Sequence, residues 1–114
     1  MGSSAAVQSS AREHIEEMVR RIVDRFHPEK IILFGSHARG TAGPDSDADL
    51  LVVMPVEGSR RKQATDIDLA LVGIRLPADV IVITPEDLQR DASRPGTVIH
   101  PALREGQVLY ERRS

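Results

Sequence analysis

Three aspartates and one glycine–serine pair carry the chemistry available to this sequence. Asp47-Ala48-Asp49 opens an apolar run over residues 47–54, and Asp79 opens another over residues 79–83. In an extended strand residues i and i+2 share a face, so Asp47 and Asp49 are predicted to project side by side. The segment between the two runs reads as a helix. A strand–helix–strand unit of this length predicts parallel strands whose starts lie at one edge, which brings Asp79 towards the pair. Carboxylates so placed repel: a like-charged pair 4 Å apart costs about 4 kcal/mol at an effective dielectric near 20. The cluster therefore calls for raised pKa values or a divalent cation. With oxygen donors and no His or Cys among them, Mg²⁺ or Mn²⁺ is favoured over zinc. Mg²⁺ shares a few protein carboxylates with substrate phosphates, which points to a phosphate-bearing ligand.

Gly35-Ser36 supplies the complement, separated from Asp47 by ten residues and at the end of the apolar run 30–34. Glycine lets backbone approach a ligand closely, and a helix starting there offers free N–H groups to an anion. Ser36 adds a hydroxyl donor, and Arg39 can set a guanidinium beside the same phosphates. The alternative for Arg39 is a surface ion pair with a nearby acid. An anion-binding turn and cation-binding acids on strands joined by one short loop describe a site for a nucleotide and a metal.

The elements that must position these residues are legible from periodicity and punctuation. Ile15, Met18, Val19, Ile22, Val23 and Phe26 form one helical stripe, with Ser10 and Glu13 as a capping box and Pro28 as the stop. Residues 30–34 form an apolar run suited to a strand buried on both faces. Residues 36–39 can make a short helix ended by Gly40, and Gly43, Pro44, Asp45 and Ser46 mark a turn. Ser59 is placed to cap a helix carrying Ala64, Ile67, Leu71 and Ile74 on one face, with Pro77 as its breaker. Pro85 sits at the first position of a further short helix with acids in its first turn. Arg94-Pro95-Gly96 is a break, residues 102–105 look helical before Gly106, and residues 108–110 suit a short last strand. The expected fold class is α/β (α+β), a small mixed β-sheet flanked by helices. Residues 1–10 are small, polar and aperiodic and are read as a flexible N-terminus; residues 11–114 are read as one domain.

Composition narrows the function classes. The 114 residues hold 15 Lys plus Arg against 17 Asp plus Glu, a net charge of −2, which argues against coating a polyanion and makes nucleic acid an unlikely partner. The absence of cysteine excludes a disulfide scaffold or a thiolate metal site. No apolar run reaches the roughly 18 residues that span a bilayer, and no signal-peptide pattern is present, so a cytoplasmic protein is expected. Aromatic residues make up only 3%, with no Trp, so base stacking has few candidates.

The string Ile32-Leu33-Phe34-Gly35-Ser36-His37-Ala38-Arg39-Gly40, followed by Ser46-Asp47-Ala48-Asp49-Leu50, resembles the nucleotidyltransferases of the DNA polymerase β superfamily. It is most like their minimal nucleotidyltransferase branch, whose signature is Gly-Ser, ten residues, Asp-x-Asp. Residues 78–82 resemble the family's third-acid strand, and the likeness runs from about residue 11 to 111. The resemblance implies a polymerase β-like palm and an enzyme that transfers a nucleoside monophosphate, AMP from ATP, with release of pyrophosphate. It implies that Asp47 and Asp49 hold two Mg²⁺ ions (or Mn²⁺) and that Asp79 holds one and helps activate an acceptor hydroxyl. Gly35 and Ser36 would bind the β and γ phosphates. Two metals about 3.5–4 Å apart would stabilise attacking and leaving oxygens. Members of this branch are often antitoxins, so the implied partner is a HEPN ribonuclease toxin, modified on a tyrosine, in a homo- or hetero-oligomer. The alternatives are a non-catalytic module that silences its partner by binding, or a small-molecule enzyme like the antibiotic nucleotidyltransferases. The acid triad favours catalysis over a plug, and the length disfavours the antibiotic enzymes, which carry a further acceptor domain.

Other polar residues have plainer readings. His37 is expected to face solvent or the phosphate edge rather than ligate metal, His14 and His27 to lie on the surface, and His100 to have no catalytic part. Arg60-Arg61-Lys62 opposes the helix dipole, yet falls at the edge opposite the acids, so a solvated face is expected, with a protein or RNA contact as the alternative.

Overall fold

In the computed structural model, which describes residues 3–43, 46–92 and 105–112, the apolar stripe of the first segment lies on α1 (Ser3–Phe26). Met18 and Ile22 on that stripe are fully buried. Burying such side chains contributes about 1.5–3 kcal/mol each. The helix starts seven residues before the Ser10 cap expected from the sequence. Ala5, Ala6 and Gln8 contain no breaker, so a helix nucleated downstream propagates backwards through them. It ends at His27, a left-handed residue (φ 50°) whose N–H bonds Val23 O, before buried Pro28.

The remaining order is β1 (Lys30–Phe34), α2 (Gly35–Arg39), β2 (Ala48–Val53), α3 (Arg60–Ala70), β3 (Ala78–Ile83), α4 (Pro85–Ala92) and β4 (Gln107–Glu111). The strands form one mixed sheet in the order β3-β2-β1-β4. β1 is antiparallel to both β2 and β4, whereas β2 and β3 are parallel, as the crossover through α3 requires. β4 is longer than expected and carries an irregularity opposite Ile31 and Ile32.

Period-two alternation divides the sheet into two faces. Ile31, Leu33, Leu50, Val52, Val80 and Val82 pack towards α1 and α3, sharing a core with Met18, Ile22 and Ile67. Ile32, Leu51, Val53 and Ile83 form a second, smaller core with Leu88 of α4. Odd-numbered positions of β2 and β3 thus belong to the α4 face, and Asp49 and Asp79 fall on it.

Caps fix α3 and α4 at their expected starts. Ser59 Oγ accepts the Lys62 N–H (3.3 Å) at the head of α3. Thr84 and Asp87 exchange hydrogen bonds at the head of α4, a reciprocal capping box. Arg21 reaches from α1 to the far end of α3, donating to the carbonyls of Ala70 (3.1 Å) and Val72 (2.8 Å). The Pro44-Asp45 turn centre, the break at 94–96, His100 and the helical reading of residues 102–104 lie outside the described residues.

Candidate active site

Parallel pairing of β2 with β3 sets Asp49 directly opposite Asp79. The β1–β2 pairing sets Asp49 opposite Phe34, the residue before Gly35. One carboxylate therefore stands between the third acid on one side and the glycine–serine turn on the other. The turn is tight for a stated reason. Gly35 has φ +74°, a region costly to residues with a Cβ, and a Cβ built on it would run into Asp49 Oδ2, with Asp49 Cγ 3.1 Å away. Glycine here lets the backbone lie against the Asp49 carboxylate.

Asp47 departs from its expected position. β2 begins at Ala48, whose N–H bonds Pro77 O (2.9 Å), so Asp47 lies one residue before the strand and its direction is not set by the pleat. Asp47 and Asp79 are exposed, and Asp49 is half-buried. Burial pushes the Asp49 carboxyl above the usual range, the charges of Asp79 and Asp47 push it further, and His37 and Arg39 pull it partly back. Asp49 thus carries the repulsion of both neighbouring acids.

α2 follows the turn and ends at Gly40, left-handed at φ 75°. Ser36 is half-buried in the first turn of α2, and its carbonyl accepts the Thr41 N–H (3.0 Å). Arg39 is exposed and ion-paired with Glu105 (3.6 Å), which is the surface-pair alternative. His37 does something the sequence did not reveal. Its Nε2 lies 2.9 Å from the Ser46 carbonyl, tying α2 to the residue before Asp47. Ser46 Oγ in turn accepts the Gly43 N–H (2.9 Å), closing the loop.

Asp68, near the end of α3, is a fourth acid at this edge. Burial raises its carboxyl, and the charge of Asp79 raises it further. The sequence did carry a signal: an acid in the last turn of a crossover helix opposes the dipole and returns to the edge where β3 starts. Arg60, by contrast, pairs with Asp87 (2.8 Å) at the other end of the sheet, so this member of the basic run serves α4.

The residues fit a hard divalent cation in donor chemistry and charge. The donors are carboxylate oxygens, and Asp49 bears the mutual repulsion that a cation relieves. Among the described residues, no three His, Asp or Glu side chains converge as a ready-made cage.

Comparison with known proteins agrees with the geometry. Residues 15–105 match the family model of the nucleotidyltransferase domain. A Methanocaldococcus jannaschii protein named "Putative protein adenylyltransferase" is 34% identical over 114 residues, covering 85% of this chain and 75% of that protein. The fold is shared with the crystal structure of a "putative nucleotidyltransferase" from Sulfolobus solfataricus, with a TM-score of 0.69 and 20% identity over 98% of this chain and 90% of that one. It is also shared with a chain in the crystal structure of a toxin–antitoxin with AMP-PNP, with a TM-score of 0.52, 22% identity, and 86% and 74% coverage.

Proposed function

Because the chain belongs to the nucleotidyltransferase domain family, we propose that it transfers AMP from ATP, with divalent metal, to a hydroxyl of a partner protein. The observation that carries this reading is the register of Asp49 against Asp79 with Gly35 packed on the Asp49 carboxylate. The similar archaeal protein named as a protein adenylyltransferase supports adenylyl transfer to protein, and the shared fold with a toxin–antitoxin chain supports a toxin as the acceptor. A HEPN toxin tyrosine is the acceptor we favour, with the chain acting as its antitoxin.

In this reading Asp47, Asp49 and Asp79 would hold Mg²⁺, which would supply neutralisation of the phosphate charge and acidification of the acceptor hydroxyl. Gly35 N–H, Ser36 and the first turn of α2 bind the β and γ phosphates. Asp79 sits on the acceptor side and takes up the hydroxyl proton. The acceptor oxygen forms a bond to the α-phosphorus as the bond from that phosphorus to the β-bridging oxygen breaks. The products are a protein-bound AMP diester, pyrophosphate and a proton. Fixing acceptor and phosphate in line is what makes such a transfer fast, because phosphoryl chemistry depends on position and charge.

Incubation with Mg²⁺, α-labelled ATP and extract of the source organism tests the proposal. The expected result is label in a protein band, absent with γ-labelled ATP, absent with EDTA, and lost in Asp49→Ala and Asp79→Ala. Label that persists in both variants would overturn it. Tight partner binding without transfer would establish the binding-module reading instead.

A further inference from the structure

On the α1 side of the sheet, across α2 from the acids, lies a cleft of about 860 Å³. Its floor is aliphatic, made by Ile15, Leu33, Leu76 and Leu109. Its rim carries one exposed acid, Glu16, and two exposed arginines, Arg12 and Arg75. Among the described residues neither enters an ion pair or hydrogen bond. Arg21 and Arg60, by contrast, are each engaged with an acid. His37 and Arg39 line the near wall, so the cleft shares α2 with the phosphate-binding turn. A five-residue helix is about 7 Å long, which puts the two sites within one residue side chain's reach of each other along the surface.

We propose that this cleft docks an acidic, amphipathic segment of the acceptor protein, apolar side chains on the floor and carboxylates on Arg12 and Arg75. This rests on the reading that the acceptor is a protein. Charge complementarity decides the sign of the segment, because two arginines that have no ion pair among the described residues flank the apolar floor against the single carboxylate of Glu16. The floor decides its class. Nucleic acid would want broad flat rings for stacking beside its cations, whereas the rings lining the cleft are only the imidazoles of His14 and His37, with no Phe, Tyr or Trp. Aliphatic grooves with charged rims instead suit a helix that inserts residues at i, i+3, i+4 and i+7.

The test is selection of a randomised 16-residue peptide display library on the full chain, with single-stranded RNA and ATP as parallel probes. Enriched peptides are expected to combine Asp or Glu with apolar residues at helical spacing. Their affinity should fall at least tenfold in Arg12→Glu/Arg75→Glu, and less in Arg12→Gln/Arg75→Gln, with MgATP binding unchanged in both. It should also weaken with salt. The proposal is overturned by peptides without acidic enrichment, by binding that ignores both variants, or by charge-dependent binding of RNA or free ATP at this cleft. Adenylyl transfer to protein that proceeds normally in both variants would sink the docking site while leaving the proposed activity standing, and absence of transfer by the wild-type chain, with peptide binding still weakened in both variants, would do the reverse.

Discussion

Gly35 is the position where one methyl group should cost most. Alanine there must hold φ +74° and displace the Asp49 carboxylate at once. Left-handed backbone costs about 1–2 kcal/mol, and misplacing a reacting group by about 1 Å costs on the order of a hundredfold in rate. Gly35→Ala is therefore expected to fold with slightly lowered stability and to lose about a hundredfold in transfer, read as kcat/KM with MgATP. Full activity in a folded Gly35→Ala protein would show that the Asp49–turn contact is not used. His37 acts at the same scale but indirectly. Its bond to the Ser46 carbonyl ties the phosphate turn to the approach of Asp47, which the strand does not fix. Removing it should loosen that approach rather than abolish chemistry. His37→Ala is expected to raise KM for MgATP roughly fivefold with a smaller fall in kcat, since one hydrogen bond is worth about 1 kcal/mol. His37→Gln, whose amide N–H can reach the same carbonyl, should restore most of it. Equal defects in both variants would assign His37 a role other than positioning.

Among the elements, α4 is held by one buried acid. Asp87 is only 4% exposed, caps the Thr84 N–H, and pairs with both Arg60 and Arg90. Burial pushes its carboxyl up, but Thr84 and the two arginines outweigh that and leave it below the usual range. A carboxyl lowered by folding adds stability that is fully present above its unfolded value near pH 3.9, and that stability is lost as pH falls through the folded value. Asp49 and Asp68 are raised, so their contribution runs the other way, gaining stability on acidification. The difference between wild type and Asp87→Asn isolates Asp87. The variant is expected to melt lower at pH 7 by about 1–3 kcal/mol, the range for a lost charged hydrogen bond. The gap should close below about pH 4; a constant gap in thermal melts from pH 7 to 3 would contradict the assignment. Much of this architecture was readable beforehand. The crossover rule made β2 and β3 parallel and brought Asp79 to the edge of Asp49, whereas the alternation expected to pair Asp47 with Asp49 fails because the strand begins at Ala48. Capping at Ser59 and Thr84 followed from short-range chemistry. What escaped was set by tertiary contact or by a missing signal. Ser10 and Glu13 have the pattern of a capping box, but residues 3–9 contain no Gly or Pro to stop the helix there, so α1 starts earlier than that pattern indicates. The His37–Ser46 bond depends on how a loop folds back, and Arg39 found Glu105 at a distance in sequence that no local pattern spans.

At the scale of the whole molecule, a net charge of −2 conceals a division of labour. Asp49 and Asp79 lie on the α4 face at the starts of β2 and β3, while Arg12 and Arg75, which have no ion pair among the described residues, rim the cleft on the α1 side with Glu16. Repulsion among the acids is tolerable only where a counter-charge is available, so metal and triphosphate should bind together rather than independently. Recognition of the base is another matter. The chain has one Tyr, two Phe and no Trp. Phe26 and Tyr110 pack against the α1 core and Phe34 against the smaller one, so each is committed to a core edge. A flat ring offered to a base contributes about 1–3 kcal/mol per base stacked, and base selectivity beyond that needs hydrogen bonds to the base edge held in place by a rigid wall. Phosphate and metal contacts are identical for all four nucleotides. If binding resides in the Gly35-Ser36 turn and the three aspartates, the isolated chain should use ATP, GTP, CTP and UTP with kcat/KM values within about tenfold of one another. The spread should widen when the acceptor protein is added, because docking beside α2 would supply the missing wall. Single-turnover transfer with each labelled nucleotide, with and without acceptor, measures both numbers. Strict preference for ATP by the chain alone would mean that it already holds a base pocket, and that one of its three rings leaves its core edge to stack on the adenine.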